Sequence, residues 1–237
     1  MRDIRRELRT RMRDILGNLK MLQFIEKAGG TVALHARGGS TFAVEQNIIH
    51  VQKAGVFLHL YNLIESTVMM GLDYISDQIK QHRLVFQELE DCWQVAWATH
   101  VAKLDEDLAT PNRTNSVLRI CRAIADGATV DVKPKIGTGN LDDRRIEELA
   151  KRYGIPLRIR NEVLTTVKRQ VFNDLGFLGV VRERRNGLAH GSESFADIGM
   201  AYSTADLTKW SWATYQYLKE LLGCFERYVT SKKFRRV

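Results

Sequence analysis

The sequence VFLHLYNLIESTVMMGLDYISDQI, at residues 56–79, repeats apolar side chains at helical spacing and decides the fold class. With the residues before it, this stretch predicts one long helix from Thr41 to about Gln81, because one face stays apolar through several turns. The stripe consists of Ile48, Val51, Leu58, Tyr61, Val68, Leu72, Ile75 and Ile79. A long helix with one apolar face is typical of a helical bundle.

Glu65 falls inside that apolar stripe. It lies four residues after Tyr61 and three before Val68, so the pattern places it on the face directed toward the interior. A carboxylate on such a face requires a partner, and arginine is the natural one. We therefore expect Glu65 to form a buried ion pair.

Further helices are predicted on both sides of this stretch. They cover residues 4–22, 85–108, 116–125, 141–153, 161–190 with a weak point at Gly176, and 206–228. Asn140 is the expected N-cap of the fourth, and Gly191 is expected to end the fifth. The segment SESFADIG after that glycine is expected to be a loop.

The sequence thus predicts a mostly α protein, a helical bundle, with a loop or one short β-hairpin near residues 31–42. We expect a single helical domain over residues 1–230, with about 85–139 as a turn-rich insertion. Residues 231–237 form a basic tail that is a candidate for disorder.

The charge balance favours an anionic partner. The 36 Lys and Arg residues outnumber the 28 Asp and Glu residues, which gives a formal net charge of +8. Nucleic acid is the leading candidate, although a basic balance can also serve solubility alone.

Cysteine usage and hydropathy narrow the class of protein. The three cysteines, Cys92, Cys121 and Cys224, form no CxxC pair, so neither a disulfide framework nor a cysteine zinc site is indicated, and a reducing compartment fits. The N-terminus has the charges of a helix rather than the apolar run of a signal peptide. No apolar window approaches the ~20 residues of a bilayer span.

The densest arginine cluster outside the N-terminus lies beside the only histidine of the C-terminal half, His190. Asn186 and His190 are four residues apart and share a helix face, while Arg185 lies about 140° round the axis from His190 and flanks it. Phosphodiester cleavage needs a proton-transfer group and cations where negative charge accumulates. His190 fits the first role and Arg185 the second. The alternative for His190 is a structural role, in which a histidine at a helix C-terminus interacts with the last carbonyls and the helix dipole.

Two neighbouring arginines, Arg182 and Arg184, are candidates for gripping an RNA backbone, because phosphate contacts position a nucleic acid. The alternative for both is a solvated charged face. Tyr202, Trp210 and Trp212 are left out of the site, because aromatic residues at helical spacing usually belong to a core.

Arg185 and His190, with Asn186 directly after the arginine, resemble the signature of HEPN-domain ribonucleases. Other segments resemble one branch of that family, the MAE-type HEPN-like nucleases of bacteria and archaea. They are MRDIRREL at the N-terminus, LYNLIEST at residues 60–67, GNLD at 139–142, RNGLAHGSESFADIG at 185–199 and TADL at 204–207. The resemblance runs from the first residues to the last helix and leaves the middle region unmatched.

The resemblance implies a HEPN-like helical bundle that dimerises, so that two arginine–histidine motifs form one composite cleft. Its expected activity is metal-independent endoribonuclease cleavage through attack of the 2′-hydroxyl, leaving a 2′,3′-cyclic phosphate and a 5′-hydroxyl. Arg185 and His190 match the catalytic positions, Asn186 the polar position after the arginine, and Glu65 a supporting acidic residue on the facing helix. A salt bridge from Glu65 that orients Arg185 is one hypothesis, and a purely structural pair is the other. No cofactor and no metal are implied.

The expected partners are RNA (tRNA, mRNA or another single strand), a second copy of the chain, and an antitoxin or neighbouring defence protein. No membrane partner is expected, and the cytoplasm is the expected location. A toxin or antiviral effector is the implied role. The alternative is a catalytically silent HEPN module that binds RNA or nucleotides or serves as a dimerising partner, and a purely structural protein is a third interpretation.

Overall fold

The computed structural model describes residues 1–33, 41–102, 110–137 and 140–236. Within these ranges the chain is mostly α-helical, as predicted. The helices are α1 (Arg2–Lys27), α2 (Gln46–Gln81), α3 (Asp91–Ala102), α4 (Thr110–Ala125), α5 (Asp143–Arg152), α6 (Asn161–Lys168), α7 (Phe177–His190), α8 (Phe195–Ala201) and α9 (Thr204–Thr230). None of the helices in the described part of the chain has the length and apolar character needed to cross a membrane.

The short hairpin that the sequence allowed near residues 31–42 is present as two paired strands. Strands β1 (Thr31–Ala33) and β2 (Thr41–Ala43) are antiparallel, with Thr31 opposite Ala43. The residues 34–40 between them lie outside the described part of the chain.

The long helices α1, α2 and α9 pack against one another, and α7 and α8 cover further sides of α2. Each of these five helices contributes buried apolar side chains, which for α1 are Leu8, Met12, Ile15, Leu19 and Leu22. Because α2 touches four other helices, most of its length is enclosed in the core. This arrangement fixes α2 and α7 beside each other.

The start of α2 differs from the expected stripe. Ile48 and Val51 are 43% and 36% exposed, and Ile49 is buried instead. The inward face here also carries Lys53, whose ammonium group lies 3.6 Å from a carboxylate oxygen of Glu26 on α1. The ion pair with α1 lets this polar residue take an interior position that an apolar pattern does not reveal.

Helix α8 replaces the loop that was expected after Gly191. Ser194 caps it by accepting a hydrogen bond from the backbone N–H of Asp197. A Cβ added at Gly199 would lie 1.8 Å from the carbonyl oxygen of His50, so this glycine allows α8 to touch the backbone of α2. A short helix with its own serine cap was mistaken for turn chemistry.

The middle region is helical in part and docks onto the end of α2. A 3₁₀ turn at Phe86–Glu88 precedes α3, and an extended segment follows α4. In that segment the N–H of Val130 donates to the carbonyl of Leu84 at 2.9 Å, and Val132 is fully buried. That residues 85–139 are an insertion stays a prediction.

The basic tail packs against the domain, so the expectation of disorder is wrong for its described residues 231–236. Phe234 is fully buried. Beside it, Arg235 pairs with Leu89 in an antiparallel bridge, and the N–H of Arg236 donates to the carbonyl of Glu88 at 2.8 Å. One aromatic anchor thus outweighs the charge of the tail.

Candidate active site

Helix α7 carries the arginine–histidine motif and ends where the sequence predicts. Leu178 and Val181 are buried and fix the helix to the core. Gly191 ends it in the left-handed conformation at φ +71°, which glycine adopts without strain. His190 is therefore the last helical residue, and its side chain is exposed.

A cleft of about 670 Å³ opens along one face of α7. Residues of α7 form one wall, α5 and the segment before it form another, and the turn after α7 closes one end. Its lining residues are Asn140, Asp142, Arg144, Arg145, Glu148, Arg182, Glu183, Asn186, Gly187, His190, Ser192 and Glu193. Asn186 and His190 therefore share this cleft, as their four-residue spacing predicts.

Asn186 connects Arg185 to the opposite wall. Its Oδ1 accepts a hydrogen bond of 2.9 Å from Nη1 of Arg185, and its Nδ2 donates to Oδ1 of Asn140 at 3.0 Å. Because the oxygen of the amide accepts one hydrogen bond and its nitrogen donates another, the orientation of the Asn186 side chain is fixed. Asn140 thus lies at the cleft rather than at a helix cap.

Arg185 lies beside the cleft, against α2. Its guanidinium carbon is 4.3 Å from the centroid of the Tyr61 ring, a cation–π geometry. The Tyr61 hydroxyl accepts a hydrogen bond of 3.3 Å from the N–H of Leu141. Burial raises the pKa of Tyr61, so this residue stays neutral while it supports the arginine.

The expected ion pair between Glu65 and Arg185 is not formed. Glu65 is half-buried on α2, and among the described residues no cation lies within 4.0 Å of it. Its charge acts instead on Tyr61, whose pKa it helps to raise after the larger effect of burial. Tyr61 and Asn186 occupy the places around Arg185 that the sequence led us to assign to Glu65.

Arg182 forms an ion pair with Asp142 across the cleft. Asp142 is the actual N-cap of α5, because its Oδ1 accepts the N–H of Arg145 at 2.8 Å. The expectation that Asn140 caps this helix is therefore wrong by two residues. A single aspartate both starts α5 and holds α7 to it.

Arg184 is not among the residues that line the cleft. It pairs with Glu193, its Nε donates to the Tyr202 hydroxyl at 3.1 Å, and its guanidinium carbon lies 4.4 Å from the centroid of the Phe172 ring. Only 11% of its side chain is exposed. Arg184 is thus not on a solvated face, and its charge is paired within the protein; that it contacts RNA stays a prediction.

Gly187 lets the turn after α7 fold back onto the helix. A Cβ at this position would lie 2.2 Å from Oε2 of Glu193. That oxygen is buried and has no hydrogen-bond partner among the described residues. Any side chain at residue 187 would thus push Glu193 away from Arg184.

Sequence reasoning missed the wall formed by α5. Arg144 and Arg145 line the cleft, and Nη1 of Arg145 donates to Glu148 at 2.8 Å. The pair of arginines in the first turn of a predicted helix was a signal, since cations are unusual beside the positive end of a helix dipole. The described residues contain no cluster of three or more His, Cys, Asp or Glu side chains placed to hold a metal ion.

A family model described as HEPN_MAE_28990-like HEPN matches residues 9–234 of the chain. The chain belongs to this HEPN family. Neither the curated proteins nor the solved structures yield a match. The match runs through the long helices and the cleft, and it also spans the middle region. HEPN domains are generally nucleases or RNA-binding modules. The cleft beside the motif carries three arginines and four acidic side chains.

Proposed function

We propose that this HEPN protein is a metal-independent endoribonuclease. The observation that carries the proposal is the cleft in which Asn186 and His190 stand on one wall, with Arg185 one hydrogen bond away. An imidazole at the open surface of a cleft that also carries three arginines suits a phosphodiester substrate. The chain's positive net charge favours RNA as its partner.

In the proposed reaction the 2′-oxygen of a ribose forms a bond to the adjacent phosphorus, and the bond from phosphorus to the 5′-oxygen breaks. The 2′-hydroxyl loses a proton, and the departing 5′-oxygen gains one. His190 is the group that transfers a proton at one of these oxygens. The products are a 2′,3′-cyclic phosphate and a 5′-hydroxyl.

Arg185 stabilises the negative charge that accumulates on the phosphorane oxygens. Its stack on Tyr61 and its hydrogen bond to Asn186 hold the guanidinium before RNA arrives, so little ordering is required at the moment of reaction. Arg144 and Arg182 are the candidates for phosphate contacts on the cleft walls. Arg182 must share its charge with Asp142.

Among the described residues, one copy of the chain supplies one histidine, His190, to the cleft, whereas the reaction moves two protons. We therefore propose that two copies join their arginine–histidine motifs into one composite cleft. The substrate class is tRNA, mRNA or another single-stranded RNA in the cytoplasm. A toxin or antiviral role, controlled by an antitoxin or a neighbouring defence protein, is proposed from the same resemblance.

The first experiment incubates the protein and His190→Ala with total tRNA and a single-stranded RNA in EDTA, and maps the new termini. We expect cleavage only by the unmodified protein, with cyclic phosphate ends. His59→Ala is the matched control, because His59 is exposed on α2 and lines a different cavity. Cleavage that EDTA abolishes and magnesium restores would contradict the proposed mechanism.

A silent binding module is the second candidate. The observation that favours it is the placement of Arg185, whose guanidinium faces Tyr61 rather than the cleft interior. The same experiment separates the two candidates. RNA binding without cleavage by either protein would identify a binding module.

A further inference from the structure

We propose that a second cavity, between α3 and the C-terminal end of α5, binds one unpaired nucleotide of the RNA, about three nucleotides from the phosphate at Arg144 in the cleft. The inference rests on the proposed function and deepens it, because it specifies the substrate as RNA that is single-stranded on one side of the cut. This cavity has a volume of about 430 Å³.

The wall formed by α3 has the chemistry of a base-binding surface. Its lining residues are Cys92, Val95, Ala96, Thr99 and His100, which share one face of the helix. Burial raises the pKa of the Cys92 thiol, so the thiol is neutral and acts as a small apolar surface. The His100 ring offers a stacking partner, and the Thr99 hydroxyl offers a hydrogen bond to a base edge.

The opposite wall is cationic. Lys133, Lys135 and Arg152 line it, and no acidic side chain is among the described residues that line this cavity. Lys133 and Arg152 are exposed, and neither has a carboxylate within ion-pair distance in the described part of the chain. An apolar wall that faces Lys133 and Arg152, two cations beyond ion-pair distance of any described carboxylate, fits a ligand that combines a flat ring with a phosphate.

Helix α5 connects this cavity to the active-site cleft. Arg144 lines the cleft and Arg152 lines the second cavity, and eight residues of helix separate them by about 12 Å. At the rise of about 3.4 Å per nucleotide in a stacked strand, this distance corresponds to roughly three nucleotides.

Glu148 is the acidic residue between these two arginines, and its charge is already compensated. The pKa of Glu148 is lowered, first by the hydrogen bond from Arg145 and further by Arg144 and Arg152. An RNA strand that runs along this face of α5 therefore meets more arginine charge than glutamate charge. A single RNA strand can follow this surface from the cleft to the cavity.

The experiment measures RNA binding in the His190→Ala background, so that no cleavage is required, by fluorescence anisotropy. The oligonucleotides carry one abasic nucleotide at each position in turn. We expect one sensitive position at which loss of the base weakens binding about tenfold, within the range known for base stacking. In the cleaving protein that position should lie at a fixed distance of a few nucleotides on one side of the cut.

Two variants connect the sensitive position to the cavity. Lys133→Gln/Arg152→Gln removes two phosphate contacts, and Val95→Trp fills the cavity from a side chain that is 66% exposed. Each should weaken binding of the intact RNA about tenfold and make the abasic position neutral. Lys209→Gln/Lys219→Gln removes the same charge from exposed positions on α9. This control should keep the normal affinity for intact RNA and the sensitivity to the abasic position. Thermal unfolding verifies that each variant is folded.

Equal binding by all folded variants, or binding that no abasic position weakens, would overturn the inference. Lys133→Gln/Arg152→Gln could also weaken the binding of adenosine monophosphate while leaving RNA binding unchanged. That result would overturn the inference and identify a free nucleotide as the ligand of the cavity. Cavity-dependent RNA binding by a protein that cleaves no RNA would support the inference and contradict only the proposed nuclease activity.

Discussion

The two faces of α7 place neighbouring arginines in opposite surroundings. On one face, Arg182, Asn186 and His190 line the cleft and are open to solvent or to the opposite wall. On the other, Arg184 is enclosed by Glu193, Tyr202 and Phe172. Residues that look alike in the sequence thus divide into a group expected to bind RNA and a group expected to hold the turn after α7.

Arg185, which donates a hydrogen bond to Asn186 on the cleft face, tests that side of the comparison with the largest expected effect. Arg185→Ala should lower the cleavage rate by about 10²–10³-fold, as the loss of one charge-stabilising donor does. The unfolding temperature should change little, because its partners, Tyr61 and Asn186, are neutral. Single-turnover cleavage and thermal unfolding measure both quantities.

Arg185→Lys is the matched variant, because it keeps the charge and loses the planar fork. It should recover only part of the rate. A rate equal to that of the unmodified protein for Arg185→Ala would remove this residue from the mechanism.

Arg184 tests the packed side. Arg184→Ala should destabilise the protein by about 2–3 kcal/mol, because it leaves the carboxylate of Glu193 without its partner in a mostly buried position. RNA affinity measured below the unfolding transition should stay nearly unchanged.

Chemical denaturation gives the free energy of unfolding, and Arg169→Ala is the control, since Arg169 is exposed at the end of α6. A stable Arg184→Ala protein with strongly weakened RNA binding would reverse the assignment of the two faces.

Tyr61 connects α2, α7 and the segment before α5. Tyr61→Phe removes the hydroxyl that accepts from Leu141 but keeps the ring under Arg185. We expect a loss of stability of about 1 kcal/mol, typical of one hydrogen bond, and a cleavage rate within about threefold of normal, since the stacking is retained. A large fall in rate at unchanged stability would show that the hydroxyl takes part in the chemistry.

Periodicity predicted the bundle because an apolar stripe on a long helix has few alternatives to burial. The long helices α1, α2 and α9 and the end of α7 at Gly191 follow from such local signals. The start of α2 did not follow from local signals, because an ion pair with Glu26 allows Lys53 to point inward. The packing of the C-terminal tail did not follow from local signals either, because the burial of Phe234 depends on a surface formed by distant residues.

The site was predicted only in its α7 half. The motif from Arg185 to His190 is contiguous, so its helix face can be read from spacing alone. Asn140 and Arg144 come from another part of the chain, and only folding brings them to the cleft. The same limit explains Glu65, whose face was predicted but whose distance from Arg185 depends on how two helices pack.

Glu65 carries the smallest expected effect and separates two accounts of how Arg185 is held. If Tyr61 and Asn186 hold the guanidinium, as their contacts with it indicate, Glu65→Gln removes only the electrostatic effect of the Glu65 charge on Tyr61. The cleavage rate should then fall by no more than about threefold, since the substitution keeps the shape of the side chain and removes one charge beyond ion-pair distance. The measurement is the single-turnover rate of Glu65→Gln beside that of Glu183→Gln, which removes an equal charge from the cleft lining itself. A fall of a hundredfold for Glu65→Gln alone would mean that the active assembly brings Glu65 into direct contact with an arginine, and the support of Arg185 would then include an acid.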